Sequence, residues 1–274
     1  MYTHEDVTFI IPVKFDTKDR ERNLILSVNW LSKIYPFNFI IQESDVDKKF
    51  SKIERMLPMS NINYSFYPQL TSLFHRTLLL NNMLDMVSTK LVCNFDCDVI
   101  MESKNIEAVL EKFNKGEECV YPYTFGDNCL RIRPDAVVEG GCSTSTNFYK
   151  FIEKFNNKEF IEDPHTSLYG YAVFFNTDVY KNGYGENENF QAWGPEDVER
   201  YARFKKLGFR VSHLDNTYKV YHLEHGRGID SSDSHKMVRN NHRLTKNLGE
   251  LDRKRLEITY KEYNYVKYRN YGKF

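Results

Sequence analysis

Apolar residues along this chain come in two textures that alternate: short unbroken runs, then segments with apolar positions three and four apart. Val7-Thr8-Phe9-Ile10-Ile11-Pro12-Val13 is such a run and predicts a buried strand ending at Pro12. After the charged segment Lys18 to Arg22, the residues Leu24, Ile25, Val28, Leu31 and Ile34 share one helical face. Phe37 to Ile41 is a second strand, followed by Gln42-Glu43-Ser44-Asp45, and Ile62 to Tyr67 alternates as a third. Leu73 to Val87 predicts a helix with Leu78, Leu79 and Met83 inward. The run Leu91-Val92-Cys93-Asn94-Phe95 then stops at Asp96-Cys97-Asp98. This alternation of strand and helix predicts an α/β fold with a mostly parallel sheet, right-handed crossovers and helices on its faces.

Beyond that point the pattern predicts a helix over Ile106 to Phe113, a turn at Gly140-Gly141 and a helix over Phe148 to Phe155. A strand follows at Tyr171 to Asn176, and then a helix from Glu196 to Leu207, stopped by Gly208. A short strand at Tyr218 to His222 leads into a Gly/Ser/Asp-rich loop from Gly226 to Ser234. From there the chain is polar with helical stretches, which divides it into a main α/β domain over 1–230 and a helical C-terminal extension over 231–274.

Composition narrows the classes. With 274 residues, 41% hydrophobic, the chain is long enough for one sizeable core. The 38 basic residues are balanced by 38 acidic ones, so no polyanion footprint is present and no nucleic-acid partner is expected. The five cysteines are scattered without a Cys-x-x-Cys pair, which speaks against a disulfide framework and a thiolate zinc site. They read as reduced thiols. No basic-then-apolar leader opens the sequence and no run reaches membrane-span length, so the expected location is cytoplasmic. The Tyr/Lys-rich residues 259–274 are the one candidate for docking on a membrane or a partner.

Chemistry concentrates in four clusters. Asp96 and Asp98 sit where a buried strand emerges at the mouth of an open sheet, the usual ligand end of such folds. If the backbone stays extended they point the same way, and two close carboxylates call for a cation. A hard divalent ion holding a nucleotide diphosphate meets that need; the rival reading is a solvated turn. In Phe74-His75-Arg76, an arginine at a helix start can reach a phosphate or pair with a carboxylate. In Trp193-Gly194-Pro195-Glu196-Asp197, the acids suit a helix N-terminus and the tryptophan offers a stacking surface for a sugar or base. His222-Leu223-Glu224-His225 supplies two imidazoles after a strand, both able to turn inward as metal ligands.

The order of these pieces resembles the β-1,4-galactosyltransferases and related GT-A glycosyltransferases, including the catalytic domains of the polypeptide N-acetylgalactosaminyltransferases. Ile10-Ile11-Pro12-Val13 is similar to the family's opening Ile-Pro strand, and Phe74-His75-Arg76 with Leu79-Leu80-Asn81 to its Phe-Asn-Arg helix start and Leu-Leu-Asn. Asp96-Cys97-Asp98 matches its Asp-x-Asp, Trp193 to Asp197 its Trp-Gly-Gly-Glu-Asp, and His225 its late metal-binding histidine. The resemblance spans roughly residues 7–228.

That resemblance implies a Rossmann-like GT-A fold and a role for each position. Pro12 and Val13 would line a uridine pocket, while Phe74 and Arg76 would support the nucleotide and its phosphates. Asp96 would lie near the ribose or metal. Asp98 and His225 would bind Mn²⁺, with Mg²⁺ the alternative ion, and His222 would be a third ligand. Trp193 and Glu196 would position donor sugar and acceptor, and Asp197 would be the general base. The departures are local. Lys14 and Phe15 stand where the galactosyltransferases carry an arginine-rich segment, Pro195 replaces a glycine, and His222 replaces a methionine with a better ligand for a borderline-hard ion. Donor choice falls around Leu168 to Ala172.

The expected activity is therefore metal-dependent, inverting transfer of a hexose or N-acetylhexosamine from a UDP-sugar to a hydroxyl of a carbohydrate or glycoconjugate. The loop from Gly226 to Ser234 would close over the donor. A sugar-phosphate nucleotidyltransferase is the rival enzyme, although Pro12-Val13-Lys14-Phe15 lacks the glycines such an enzyme uses for a triphosphate. An inactive carbohydrate-binding scaffold is the third reading.

Overall fold

The structure is a computed structural model, describing residues 1–69, 73–124, 129–133, 169–226 and 236–263, with the backbone of Ile161 and Glu162. The expected helix at Phe148 to Phe155, the turn at Gly140-Gly141, most of the Gly226 to Ser234 loop and the tail beyond 263 lie outside these residues.

A seven-stranded sheet forms the centre. Its strands are β1 (Val7–Val13), β2 (Asn38–Asp45), β3 (Ile62–Pro68), β4 (Leu91–Phe95), β6 (Cys119–Tyr121), β9 (Ala172–Asn176) and β10 (Val211–His213), in the spatial order β10-β6-β9-β4-β1-β2-β3. β1 pairs in parallel with both β2 and β4, and β2 with β3; β9 alone runs antiparallel, between β4 and β6. β1 is buried along its whole length because both faces are covered, which is why it reads as a continuous apolar run. Phe9 sits at its heart, edge-on to Phe37, Phe95 and Phe174.

Helix α1 (Lys18–Ile34) is capped by Thr17, whose side chain accepts from the Arg20 amide, and it takes in the charged segment ahead of its apolar face. Helix α2 (Arg76–Leu84) is shorter than the apolar pattern predicts, and α3 (Ser103–Asn114) follows the main turn after β4. The span between β2 and β3 holds three short 3-10 turns in place of a crossover helix. Later come α4 (Thr177–Asn182), α5 (Glu196–Leu207), α6 (Lys236–Glu250) and α7 (Arg253–Tyr263). Gly208 ends α5 in the left-handed conformation at φ 91°.

A second, four-stranded sheet is the element the apolar pattern did not predict. It consists of β5 (Val99–Met101), β7 (Cys129–Ile132), β8 (Ile161–Glu162) and β11 (Val220–Leu223), in the order β5-β11-β7-β8. It matters because β11 pairs with β5 in a register that sets His222 opposite Val99. The Leu223 amide also donates to the Asp98 carbonyl at 2.7 Å. Helix α1 clamps the same corner: Ser27 donates to the Cys97 carbonyl, Asn23 to the Leu223 carbonyl and the Trp30 indole to the Met101 carbonyl.

Cys93, Cys97 and Cys119 are buried free thiols, and Cys129 is buried as well. Among the described residues no helix is long and apolar enough to cross a membrane.

Candidate active site

A cleft of about 490 Å³ opens at the C-terminal ends of β1 and β4. Its floor is the Asp96-Cys97-Asp98 segment, which is a turn and not the extended strand end expected: β4 stops at Phe95, and the Val99 amide returns to the Asp96 carbonyl. The turn splits the two carboxylates. Asp96 accepts two hydrogen bonds from Arg76, Nε at 3.1 Å and Nη2 at 2.7 Å. Asp98 faces the histidines instead, with His222 Nε2 at 3.4 Å and His225 Nε2 at 3.0 Å. The pair is thus neutralised by two different partners, and one shared cation is not required for both.

Asp98, His222 and His225 bring their ligand atoms within 4.8 Å of one another. The outer nitrogens of both rings are engaged: His222 Nδ1 lies 3.1 Å from Glu224 Oε1, and His225 Nδ1 lies 2.7 Å from the Gly226 carbonyl. With an ion bound, a proton on each Nδ1 would leave each Nε2 lone pair for the metal. Arg131 in turn pairs with Glu224 and steadies it. Asp98 Oδ1 is buried with no hydrogen-bond partner. Two imidazoles and a carboxylate with an unsatisfied buried oxygen fit a divalent ion. Burial opposes ionisation of Asp98, but His222, His225 and Arg20 outweigh it and hold its pKa below the ordinary value.

The opposite wall is the start of α5. Glu196 and Asp197 lie in its first turn, where the helix dipole favours acids. Arg76 Nη1 stands 3.7 Å from Glu196 and 3.6 Å from Asp197, so this arginine links the floor to the acidic wall. Burial, helped by Asp197, pushes the Glu196 carboxyl up to about 8, although Arg76 opposes the shift. Asp197 accepts from Arg200 Nη2 at 2.7 Å. Arg200 is fully buried and its Nη1 donates to Glu186 at 2.8 Å. Glu186 also accepts from Tyr180 and Asn94, which completes a buried network beneath Asp197.

Segment 186–194 is stitched to α2. Asn81 bonds both the amide and the carbonyl of Glu186, His75 meets the Glu188 carbonyl, Thr77 donates to the Phe190 carbonyl, and the Ala192 amide donates to Phe74. This holds Trp193 at the cleft with 46% of its surface exposed.

Residues 147–226, which include the acidic wall and both histidines, match the family model described as the N-terminal domain of galactosyltransferase. No curated protein matches the chain in sequence. Among solved structures it is similar to the catalytic domain of Drosophila β1,4-galactosyltransferase 7 in complex with xylobiose: 14% identity, 89% of this chain, 80% of that one, TM-score 0.51. It is also similar to S. aureus TarS residues 1–349 in complex with UDP-GlcNAc: 12% identity, 94% of this chain, 71% of that one, TM-score 0.56. The fold is that of the GT-A glycosyltransferases. The matched galactosyltransferase segment and the shared fold support a glycosyltransferase.

The GT-A cleft brings together Pro12, Phe74, Arg76, Asp96, Asp98, Trp193, Glu196, Asp197, His222 and His225. Val13 is the correction. It was expected in the uridine pocket, but its side chain is 1% exposed and belongs to the core, because adjacent residues on a strand face opposite ways. Arg76 is a second adjustment: in this state it pairs with Asp96, the alternative its position had left open. The sequence reading passed over Arg20, which lines the cleft with Nη1 3.7 Å from Asp98. It also passed over Arg200 and His242. Arg200 had a visible signal, since it sits three residues after Asp197 on one helical face. Arg20 and His242 had none, because only the fold carries them to the cleft.

Proposed function

We propose that this chain is a metal-dependent, inverting glycosyltransferase that moves a hexose or N-acetylhexosamine from a UDP-sugar to a hydroxyl of a carbohydrate or glycoconjugate acceptor. One observation carries the reading: the cleft has a wall of Asp98, His222 and His225 whose donor atoms could hold a cation, and an acidic wall of Glu196 and Asp197 on a separate helix. The UDP-GlcNAc of the TarS complex and the xylobiose of the galactosyltransferase complex support a nucleotide sugar on one side and an acceptor sugar on the other.

Asp98, His222 and His225 would hold Mn²⁺, with Mg²⁺ the alternative; the nitrogen donors favour the former. When bound, the ion supplies positive charge against the leaving diphosphate. Arg76 and Arg20 add fixed positive charge at the same floor. Asp197 accepts the proton from the acceptor hydroxyl as that oxygen attacks the anomeric carbon from the face opposite the diphosphate. Arg200 keeps its carboxylate aimed. Glu196, protonated at neutral pH, donates a hydrogen bond without adding a second charge beside the base. Trp193 stacks on a sugar face.

The test is hydrolysis of a panel of nucleotide sugars with and without Mn²⁺. A UDP-hexose or UDP-N-acetylhexosamine should be cleaved in the presence of the ion, giving UDP and the sugar. No cleavage of any UDP-sugar, or equal rates in a chelator, would remove the reading.

A further inference from the structure

Helix α6 lies beyond the segment on which the transferase reading rests, yet it reaches the cleft. Asn241, on this helix, is 1% exposed. Its amide donates to the Gln191 carbonyl at 2.7 Å and to the Trp193 carbonyl at 3.1 Å. Both acceptors flank Ala192, which is held in the left-handed region at φ 61°, a conformation that costs a residue bearing a Cβ. The strain therefore needs ties on both sides, and Asn241 supplies them. Gly194 permits the approach: a Cβ there would sit 2.5 Å from Asn241 Nδ2 and 2.8 Å from its Cβ. The next residue on the helix, His242, is exposed and lines the same cleft as Trp193 and Asp197.

We propose that helix α6 builds the acceptor side of the cleft: Asn241 is the positioning residue that sets the face of Trp193, and His242 hydrogen-bonds a hydroxyl of the acceptor sugar. The side follows from packing, because helix α6 lies against α5, the helix whose first turn carries Glu196 and Asp197. An aromatic ring for the apolar face of a pyranose and an imidazole for its hydroxyls are a fitting pair for a carbohydrate. This inference rests on the transferase reading, in which Asp197 meets the acceptor.

The chain has two tryptophans, and Trp30 is buried with its indole bonded to Met101, so a saccharide at the cleft is read from Trp193 fluorescence. Free N-acetylglucosamine, glucose, galactose and xylose are titrated in the presence of UDP and Mn²⁺, and donor hydrolysis is measured in parallel. At least one saccharide should give a saturable change, and His242→Ala should weaken it roughly 3–10-fold, as expected for one lost hydrogen bond. Asn241→Leu should raise acrylamide quenching of Trp193 and abolish the saccharide response. Lys246→Ala, exposed on the same helix and outside the cleft lining, should change neither. If Asn241→Leu does not fold, His242→Ala still decides. Donor hydrolysis without any saccharide response, or an undiminished response in His242→Ala, overturns this inference and leaves the transferase reading intact. Saccharide binding that weakens in His242→Ala without hydrolysis of any donor removes the transferase reading and keeps the sugar wall.

Discussion

The two walls of the cleft carry carboxylates in opposite states. Asp98 is buried, yet two imidazoles and Arg20 keep it ionised. Glu196 is buried to a similar degree, yet with Asp197 beside it the carboxyl rises to about 8. Burial penalises charge in both places. The neighbours decide the outcome, and they differ because one wall is assembled by strand pairing and the other by a helix start. The contrast assigns work: an ionised group to hold a cation, and a protonated acid next to the base.

The widest separation between the walls should come from Asp197→Asn. The change is nearly isosteric and removes the proton acceptor, so kcat for transfer should fall by roughly 10²–10⁴. If the residue only capped the helix, asparagine would serve almost as well and turnover would stay near normal.

On the other wall, His225→Ala should weaken Mn²⁺ binding strongly and His222→Ala less, measured by calorimetric titration. Glu224→Gln, one step out, should weaken it by roughly 10–100-fold, since it orients His222. Affinity should also fall as pH drops through the histidine range near ~6.5, because ligation needs neutral imidazoles. His225 has its pKa raised, so for this ligand the loss should begin at the upper edge of that range. Unchanged affinity in both single mutants and in the double mutant would take this cluster out of the site.

Arg76 joins the walls, and removing it should be felt in the fold itself. Arg76→Met leaves Asp96 unpaired and removes a cation from beside Glu196, while Asp197 keeps Arg200. Urea unfolding should register about 3–5 kcal/mol of lost stability, the cost typical of breaking a buried ion pair. A loss under about 1 kcal/mol would mean that Asp96 is solvated and the bridge does not form.

The pH dependence of stability is the sharpest test for Glu196. Its folded pKa lies above its ordinary 4.5, so its contribution to stability is full below that value and declines as pH rises towards about 8. Glu196→Gln should flatten the fall in stability across this window. An unchanged slope would show that Glu196 is ionised in the native state.

Sequence and structure agree best where a pattern is long. β1, α1 and α5 each carry enough apolar positions to set a period, and Gly208 marks a helix end through its backbone freedom. The short strand expected at Tyr218 to His222 is present as β11, but the sheet it joins escaped because its strands span two to four residues, too short for a period. That is also why the route by which His222 reaches Asp98 was hidden, although both residues were singled out as ligands. The Asp96–Asp98 turn was misread for a related reason: spacing places two side chains on one face only if the backbone stays extended. Val13 fell to the same alternation that makes Pro12 a cleft residue. Asn241 and His242 belong to a polar helix whose sequence carries no chemical signature, and their place at the cleft comes from packing alone.

The division of labour between the walls is tested most directly by titrating UDP, in the presence of Mn²⁺, into Asp98→Asn and Asp197→Asn side by side. Asp197→Asn should bind UDP with near wild-type affinity, and Asp98→Asn should lose the Mn²⁺-dependent part of binding. Equal losses in the two variants, or full Mn²⁺-dependent binding by Asp98→Asn, would contradict the account.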